Sequence, residues 1–519
     1  MKKIILKTVF NTIFFLFIVV ILAISLRGNL GNPNSKEMNS KDWKQDGPFE
    51  LSPERGRIAL TYSLVENKSF IFDLDIAKFV APDVAQRPDG KYVSLFAPGV
   101  SFSAIPGYII GKYFGASQVG AYATSGVFAL FNVILIYLIA KKFGVTKAAS
   151  MIASLIFLFA TPAFAYAVNL YQHQISVFLM LASIYTLIRW KNVWSLGVVW
   201  FLLATSIAID YPNAIIFSPI AIFALTRMFD LRKNLEKITI KFKYLGILTF
   251  FTAVIPLGFF MWSNVQAYND PFQLAGTLKS VKVVQDEKTL TDRQLVQREL
   301  EEQNQNKKEK TATGFFKTRN LLDGFYIHVP SSERGIIWYT PVILFGTLGA
   351  YFLYKKVPAI TTLLIGLIGT NIVLYSMWGD PWGGWAFGSR YLIPCYAISA
   401  IFIGIALSYF RKKSLFLIFF IPVFAYSVLV NTLGAITTST VPPKVEAVAL
   451  EKLSGVQEKY SYDRNIDYLK SNQSKSFVWR TFAKDKIPAL YYYWAVASAI
   501  LILSGSLIFS LRFLEGRGK

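Results

Sequence analysis

The stretch QVGAYATSGVFALFNVILIYLIAKK, residues 118–142, decides what kind of molecule this is. It carries no charge from Gln118 to Ala140, and as a helix rising about 1.5 Å per residue it exceeds the roughly 30 Å of a bilayer's hydrocarbon core. Lys141 and Lys142 then stop it. Blocks of the same kind recur near Thr8–Leu26, Ala148–Val168, Gln172–Ile188, Val193–Ile209, Tyr211–Met228, Tyr244–Val265, Gly335–Leu353, Val357–Trp378, Tyr391–Phe410, Ser414–Ile436 and Ala489–Leu511. The expectation is an all-α polytopic membrane protein with about twelve transmembrane helices, interfacial helices and large outer loops.

Composition agrees with that reading. Apolar residues make up 54% of the chain and charged residues 16%, against roughly a quarter charged in soluble domains. Lipid supplies the solvent that such a surface needs. The block after Lys2, Lys3 and Lys7 is longer than the core of a secretory signal and has no convincing small-residue cleavage site, so a retained anchor is expected. The lone cysteine, Cys395, leaves no intramolecular disulfide or cysteine metal cluster.

Alternating the connections puts Lys141, Lys142, Lys147, Arg189, Lys191, the loop from Arg227 to Lys243, Lys355, Lys356, Arg411 to Lys413 and the tail from Arg512 on one side. With the N-terminal lysines that side holds 22 Lys/Arg against Asp230, Glu236 and Glu515, so it carries +19 of the net +23. By the positive-inside rule it is cytoplasmic, with both termini in the cytoplasm of a multi-pass protein of the cytoplasmic membrane. The basic balance therefore reports topology, and no nucleic-acid partner is expected.

The outer segments are unequal: 27–117, 266–334 and 437–488 are long and the others short. Residues 1–436 read as a transmembrane core whose first outer loop, 27–117, is the catalytic candidate and whose second is 266–334; residues 437–519 add an outer loop, a last span and a tail. In the first loop Arg57–Glu66 reads as a short helix, and Phe96–Phe114, broken by Pro98, Gly99, Pro106 and Gly107, as an interfacial stretch. In the second, Thr291 to Gln294 opens a charged helix reaching about Asn306. No internal repeat is evident.

The outer segments also hold the residues with chemistry. Glu54, Glu66, Asp73, Asp75, Asp83 and Asp89 place carboxylates near the membrane surface, where one can act as a general base while the rest are solvated loop charges. Asp73-Leu74-Asp75 has the spacing that holds a metal and a nucleotide sugar in soluble transferases, but nucleotide sugars are cytoplasmic and this loop is expected outside. Arg334 and Arg390 stand at outer span ends, where a guanidinium fork suits a lipid phosphate; snorkelling to headgroups is the plainer account. From Trp378 to Tyr391 three tryptophans, a proline and four glycines exceed an aromatic belt, with glycines suited to close ligand approach and indoles to bordering a sugar. His173 and Asp210 lie at outer span ends without metal-ligand spacing; His328 is the other histidine, so a histidine zinc site is not expected.

At these residues the chain resembles the GT-C superfamily of polytopic glycosyltransferases, in the bacterial branch near the protein O-mannosyltransferases and aminoarabinose transferases. The resemblance runs from Ala59-Leu60-Thr61 to Glu66, through Ser69-Phe70, Asp73, Asp83 and Asp89-Gly90-Lys91-Tyr92, to Ala97-Pro98-Gly99, Pro106 and Tyr108. It continues in Arg334-Gly335, Tyr339, Pro341 and the Trp382-to-Tyr391 segment. It implies a catalytic carboxylate in the first outer loop and a sugar taken from a polyprenyl phosphate. The family's acidic pair after the first span appears only as Pro53-Glu54, leaving the base open between Glu54 and Asp83, with Asp73 a third candidate.

The expectation is therefore an inverting glycosyl transfer to an acceptor hydroxyl outside the membrane. Arg334, Arg390, Lys91 and Tyr391 would hold the lipid phosphate, and His173, Trp382, Trp385, Tyr92 and Asp210 would line the sugar or acceptor pocket. Lipid, glycan and protein acceptors all fit. No metal ligand and no required cofactor is expected, with room left for a divalent cation. The alternatives are an outer-face polysaccharide polymerase or ligase using lipid-diphosphate glycans, and a twelve-helix transporter, which the absence of charge at span centres disfavours.

Overall fold

The computed structural model describes residues 2–45, 47–233, 238–278 and 314–514. The charged helix expected from Thr291 to Asn306 lies outside them. In chain order the helices are α1 (Lys2–Ser25), α2 (Ser52–Glu66), α3 (Leu74–Val80), α4 (Gly99–Tyr113), α5 (Ser117–Lys142), α6 (Lys147–Phe159), α7 (His173–Arg189), α8 (Ser195–Ile209), α9 (Asn213–Ile216) and α10 (Ser218–Thr226). They continue with α11 (Leu245–Leu248), α12 (Val254–Tyr268), α13 (Leu321–His328), α14 (Ile336–Tyr339), α15 (Gly346–Lys356), α16 (Pro358–Ser376), α17 (Ile393–Phe410), α18 (Ser414–Ile436), α19 (Lys444–Ser454), α20 (Asp463–Lys470) and α21 (Ala489–Phe509). Among the described residues sheet is confined to two antiparallel strand pairs that the sequence did not announce, β1–β2 (Val84–Gln86, Tyr92–Ser94) and β3–β4 (Phe229–Lys233, Ile238–Phe242).

The chain is a helical multi-pass membrane protein. Six helical runs among the described residues are long and apolar enough to span: Ser117–Lys142, Leu245–Tyr268, Pro358–Ser376, Arg390–Phe410, Ser414–Ile436 and Ala489–Phe513. Five shorter apolar helices accompany them, at Asn11–Ser25, Lys147–Phe159, His173–Arg189, Ser195–Ile209 and Asn213–Thr226. Three expected spans are thus not single long helices, for local reasons. The helix expected over Ala148–Val168 ends at Phe159, before Pro162. Thr161 terminates it, its hydroxyl donating to the Phe157 carbonyl at 2.6 Å and accepting from Ala163 N. Tyr211–Met228 is split at Phe217, ahead of Pro219, and Gly335–Leu353 at Thr340, ahead of Pro341, where proline removes a backbone donor.

Residues 160–172 then run without helix while buried. Irregular backbone at membrane depth is tolerated only when protein groups satisfy it. Here Gln174 Nε2 donates to Ala163 O, Arg27 N to Val168 O and Thr340 Oγ1 to Ala160 O. This segment forms one wall of the site.

The stretch expected at the interface, Phe96–Phe114, is helical from Gly99 to Tyr113 and packs along α5 and α2. Its glycines allow this: a Cβ on Gly107 would sit 2.3 Å from Gly120 O, and one on Gly120 would sit 2.1 Å from Gly107 O. The helix expected at Arg57–Glu66 starts earlier, at Ser52, and so takes in Glu54. Residues 437–488 return over one end of the bundle. Lys475 N donates to Ile436 O at the end of α18, and Ser476 Oγ to Ile24 O and Phe477 N to Leu26 O at the end of α1, stitching the segment to both helices.

Candidate active site

Glu54 sits in the first turn of α2, with Leu51 as N-cap. An acidic side chain three residues into a helix folds back on the free N–H groups of the cap. Glu54 Oε1 accordingly accepts from Leu51 N at 3.2 Å and from Glu50 N. The residue has no solvent exposure, and its Oε2 has no hydrogen-bond partner. Burial and then the negative charge of Glu50 raise its carboxyl to about 7.

Glu50 behaves oppositely. Burial works against its charge, but Lys475 Nζ at 3.6 Å, Arg27 Nη1 at 2.8 Å and hydrogen bonds from Thr438 and Ser439 hold its carboxyl near 2. Two carboxylates one helical turn apart are thus driven in opposite directions, one to permanent charge and one to proton exchange near neutrality.

Arginines gather beside this pair. Arg57, on the next turn of α2, is buried and donates to Pro53 O at 2.7 Å and to Gln172 Oε1 at 2.6 Å. Gln172 passes the contact on, its Nε2 donating to Asp210 Oδ2 at 3.3 Å. Arg57 lies 5.5 Å from the ring centre of Tyr171, and Arg390 lies 5.2 Å from the same ring. Arg390 is also buried, yet its Nε and Nη1 have no acceptor. Tyr171 Oη and His173 Nε2 are likewise buried and unpartnered, with His173 stacked on Tyr171. Glu54 is the strongest charge acting on Tyr171, ahead of Arg390 and Arg57. Buried polar groups in folded proteins are nearly always paired, so unpaired groups gathered around one tyrosine mark a place built for a ligand. Two guanidiniums on one ring specify an anion.

The structure distributes the other expected residues unequally. Tyr391 joins the cluster, its ring 5.5 Å from Arg390 and stacked on Tyr375 at 4.2 Å. Asp210 joins it through Gln172. Arg334 is fully buried and its three nitrogens donate to the carbonyls of Trp382, Glu333, Gly384 and Val441. Its fork is spent on backbone, so it clamps the loop that carries Arg390. Trp382 Nε1 donates to Glu333 Oε2 and Trp385 Nε1 to Glu446, which turns both indole N–H groups toward the outer segments. The glycines of this loop make room for the protein itself: Gly383 has φ +70°, and a Cβ there would lie 3.0 Å from Arg390 Nε.

Asp83 is half-buried, and its Oδ2 accepts from Ser52 Oγ at 2.5 Å. Asp73 caps α3, Oδ1 accepting from Ile76 N at 2.7 Å. Lys91 is exposed beside Asp89 at the turn of the β1–β2 hairpin, and Tyr92 follows it in β2. The structure does not bring Asp73 or Lys91 to the arginine cluster. Sequence reasoning missed Arg27, Glu50, Arg55, Arg57, Tyr171 and Lys475. Glu50 and Glu54 at a spacing of one turn beside two arginines was the available signal. Among the described residues no three His, Cys, Asp or Glu side chains are grouped to hold a metal ion.

Solved structures similar to this chain include ArnT from Cupriavidus metallidurans in the apo state, at 10% identity and TM-score 0.45 over 98% of this chain and 76% of that one. ArnT bound to undecaprenyl phosphate is similar at 12% identity and TM-score 0.45, over 97% and 78%. The Archaeoglobus fulgidus oligosaccharyltransferase in complex with zinc and sulfate is similar at 15% identity and TM-score 0.47, over 93% of this chain and 61% of that one. No family model and no curated protein matches the chain, so its chemistry is read from its own side chains.

Proposed function

We propose that the chain is a membrane glycosyltransferase of GT-C type that moves a sugar from a polyprenyl-phosphate donor to an acceptor hydroxyl on the outer face of the membrane. Undecaprenyl phosphate, the ligand of one similar ArnT structure, is a carrier of the required kind. The acceptor is a lipid, glycan or protein hydroxyl.

In this reading the acceptor O–H gives its proton to Glu54 Oε2 as its oxygen bonds to the anomeric carbon. The bond from that carbon to the phosphate oxygen breaks, and its electron pair leaves on the phosphate. Arg390 and Arg57 take up the charge, and attack in line with the leaving group inverts the anomeric centre. Burial strengthens both effects, since pairing in a desolvated site is worth more than in water. Glu54 is favoured over Asp83 because its Oε2 is unpartnered, whereas Asp83 Oδ2 is engaged by Ser52. The observation that carries the proposal is Tyr171, which lies in the field of Glu54 and carries on its ring Arg57 and Arg390, with Glu54 Oε2, Arg57 Nε and Arg390 Nε and Nη1 all unpartnered.

A second reading rests on the third arginine. Arg55 is buried in α2 with an unpartnered Nε and lies in the field of Glu54 and Asp83. Three cations suit a diphosphate, as a polysaccharide polymerase or ligase would require.

Both readings are tested by transfer from a panel of polyprenyl-phosphate and polyprenyl-diphosphate sugars with purified protein in lipid, comparing wild type with Glu54→Gln, Asp83→Asn and Arg390→Ala. Single-sugar addition from a monophosphate donor, lost in Glu54→Gln and retained in Asp83→Asn, is the expected result. A product ladder from diphosphate donors favours the second reading, and no transfer from any donor by folded wild-type protein overturns both.

A further inference from the structure

The residue with the most interactions in this region is not one that the proposed chemistry uses. Glu50 precedes α2 and is 6% exposed in its side chain. Its Oε2 accepts from Arg27 Nη1 at 2.8 Å, from Ser439 N at 3.1 Å and from Ser439 Oγ at 3.2 Å, and its Oε1 faces Lys475 Nζ at 3.6 Å. Arg27 also donates to Gly434 O at 2.7 Å, and Lys475 to Gly47 O at 2.8 Å. One carboxylate therefore ties the end of α1, the entry to α2 and the outer segment after α18. The same residue's backbone N–H donates to Glu54 Oε1.

A buried ion triad of this kind is a poor device for stability alone. Desolvating three charges costs about as much as their attraction returns, and apolar replacements are often no worse. Arg27 and Lys475 bring two positive charges to one carboxylate, leaving a surplus of positive charge in a dry region a single turn from Glu54. Glu50 sets how much of that charge Glu54 feels.

We infer that Glu50, fixed by Arg27 and Lys475, is a positioning residue for the base: its N–H orients the Glu54 carboxylate and its charge sets the pH at which that carboxylate becomes able to accept a proton. The inference rests on the reading of Glu54 as base. The charged and titratable groups in electrostatic contact with Glu54 are Glu50, Arg27 at the end of α1, Arg55 on α2, Tyr122 on α5, Tyr171 in the 160–172 segment and Lys475 of the outer segment. Within that set Glu50 is the group that opposes ionisation of Glu54 most strongly after burial, and Arg27 the one that most favours it.

The consequence has a sign. Glu50→Gln removes the repelling charge and leaves Arg27 and Lys475 uncompensated, so Glu54 ionises at lower pH. Lys475→Gln removes an attracting charge, so Glu54 ionises at higher pH. Loss of structure would not move the two variants in opposite directions.

The experiment is an infrared titration of the carboxyl C=O band in lipid-embedded protein, with the Glu54 band identified by its loss in Glu54→Gln, run beside the pH profile of transfer. A midpoint lowered by about one pH unit in Glu50→Gln and raised in Lys475→Gln is expected, with the acidic limb of transfer moving in step. Should Glu50→Gln fail to fold, Lys475→Gln and the charge-balanced double variant carry the test. A Glu54 midpoint unmoved in the folded variants overturns the inference whatever the transfer shows. Midpoints that move while no donor is turned over uphold the coupling and overturn the transferase reading.

Discussion

At the scale of single residues, Glu54 joins the chemistry to a cost in stability. A carboxyl near 7 means that kcat/KM should rise with pH through about 7 and level off above it, since the base must be unprotonated. Glu54→Gln should lower transfer by at least about 100-fold. The same shift acts on folding. Between the ordinary carboxyl value of 4.5 and about 7 the folded protein keeps a proton that the unfolded chain gives up, so stability falls as pH rises through that window. The cost is fully present above 7 and amounts to roughly 3 kcal/mol. Glu54→Gln should therefore melt higher than wild type at pH 8 and together with it near pH 4, as thermal unfolding in lipid or detergent would show. Arg390 and Arg334 should separate by a similar comparison. Arg390→Ala and Arg390→Lys should both keep the fold and lose about 100-fold in transfer, because lysine cannot reproduce the fork. Arg334→Ala leaves the carbonyls of Glu333, Trp382 and Gly384 without this donor, while Val441 O keeps Ala386 N, and should lower the melting temperature first. Glu54 was legible in the sequence through its place after the first span. Arg57 and Glu50 were not, because charges spaced along a short helix read as solvated until the 160–172 and 437–476 segments are known to cover them.

At the scale of elements, the α4–α5 contact places the arginine helix. Ser101 of α4 donates its hydroxyl to Arg57 O at 2.9 Å, and Thr61 of α2 donates to Ser101 O at 3.1 Å, so α2 is held on α4, which in turn packs on α5. Gly107, Gly111 and Gly120 set the spacing, with backbone in contact across the two helices. Gly120→Val should push α4 outward, lower the melting temperature by about 5 °C and reduce transfer with it, overpacking being the cause. Gly258→Ala on α12, where an added Cβ meets nothing within 4 Å, is the matched control and should change neither. The glycines and prolines of 96–114 were visible in the sequence, but their meaning was not. A proline in a helix is decided by whether its neighbours absorb the lost hydrogen bond, and a glycine by what packs on it. The same holds for Ala148–Val168, whose apolar run looked like a continuous span and whose last nine residues are instead a buried irregular wall.

At the scale of the whole molecule, hydropathy made the helical multi-pass architecture legible, because lipid punishes exposed polar backbone more consistently than water rewards any one fold. The closure of the site was illegible because it joins Arg27 to Glu50 and Ser439, positions that no periodicity relates. The proposed chemistry requires one orientation, with the arginine cluster outside: Arg390 precedes α17, Arg411 and Lys412 follow it, and Arg57 shares the Tyr171 ring with Arg390. Cysteine labelling tests it, because the native Cys395 is buried and donates to Asn371 Oδ1 at 2.9 Å, leaving a background with no accessible thiol among the described residues. Lys91→Cys in the β1–β2 turn and Lys412→Cys between α17 and α18 are both exposed positions. A membrane-impermeant maleimide should label the first in intact cells and the second only after permeabilisation. The reverse pattern would put the arginine cluster in the cytoplasm, where nucleotide-activated sugars are the available donors. The Asp73-Leu74-Asp75 spacing would then have to be weighed again, against an Asp73 that spends its carboxylate on capping α3.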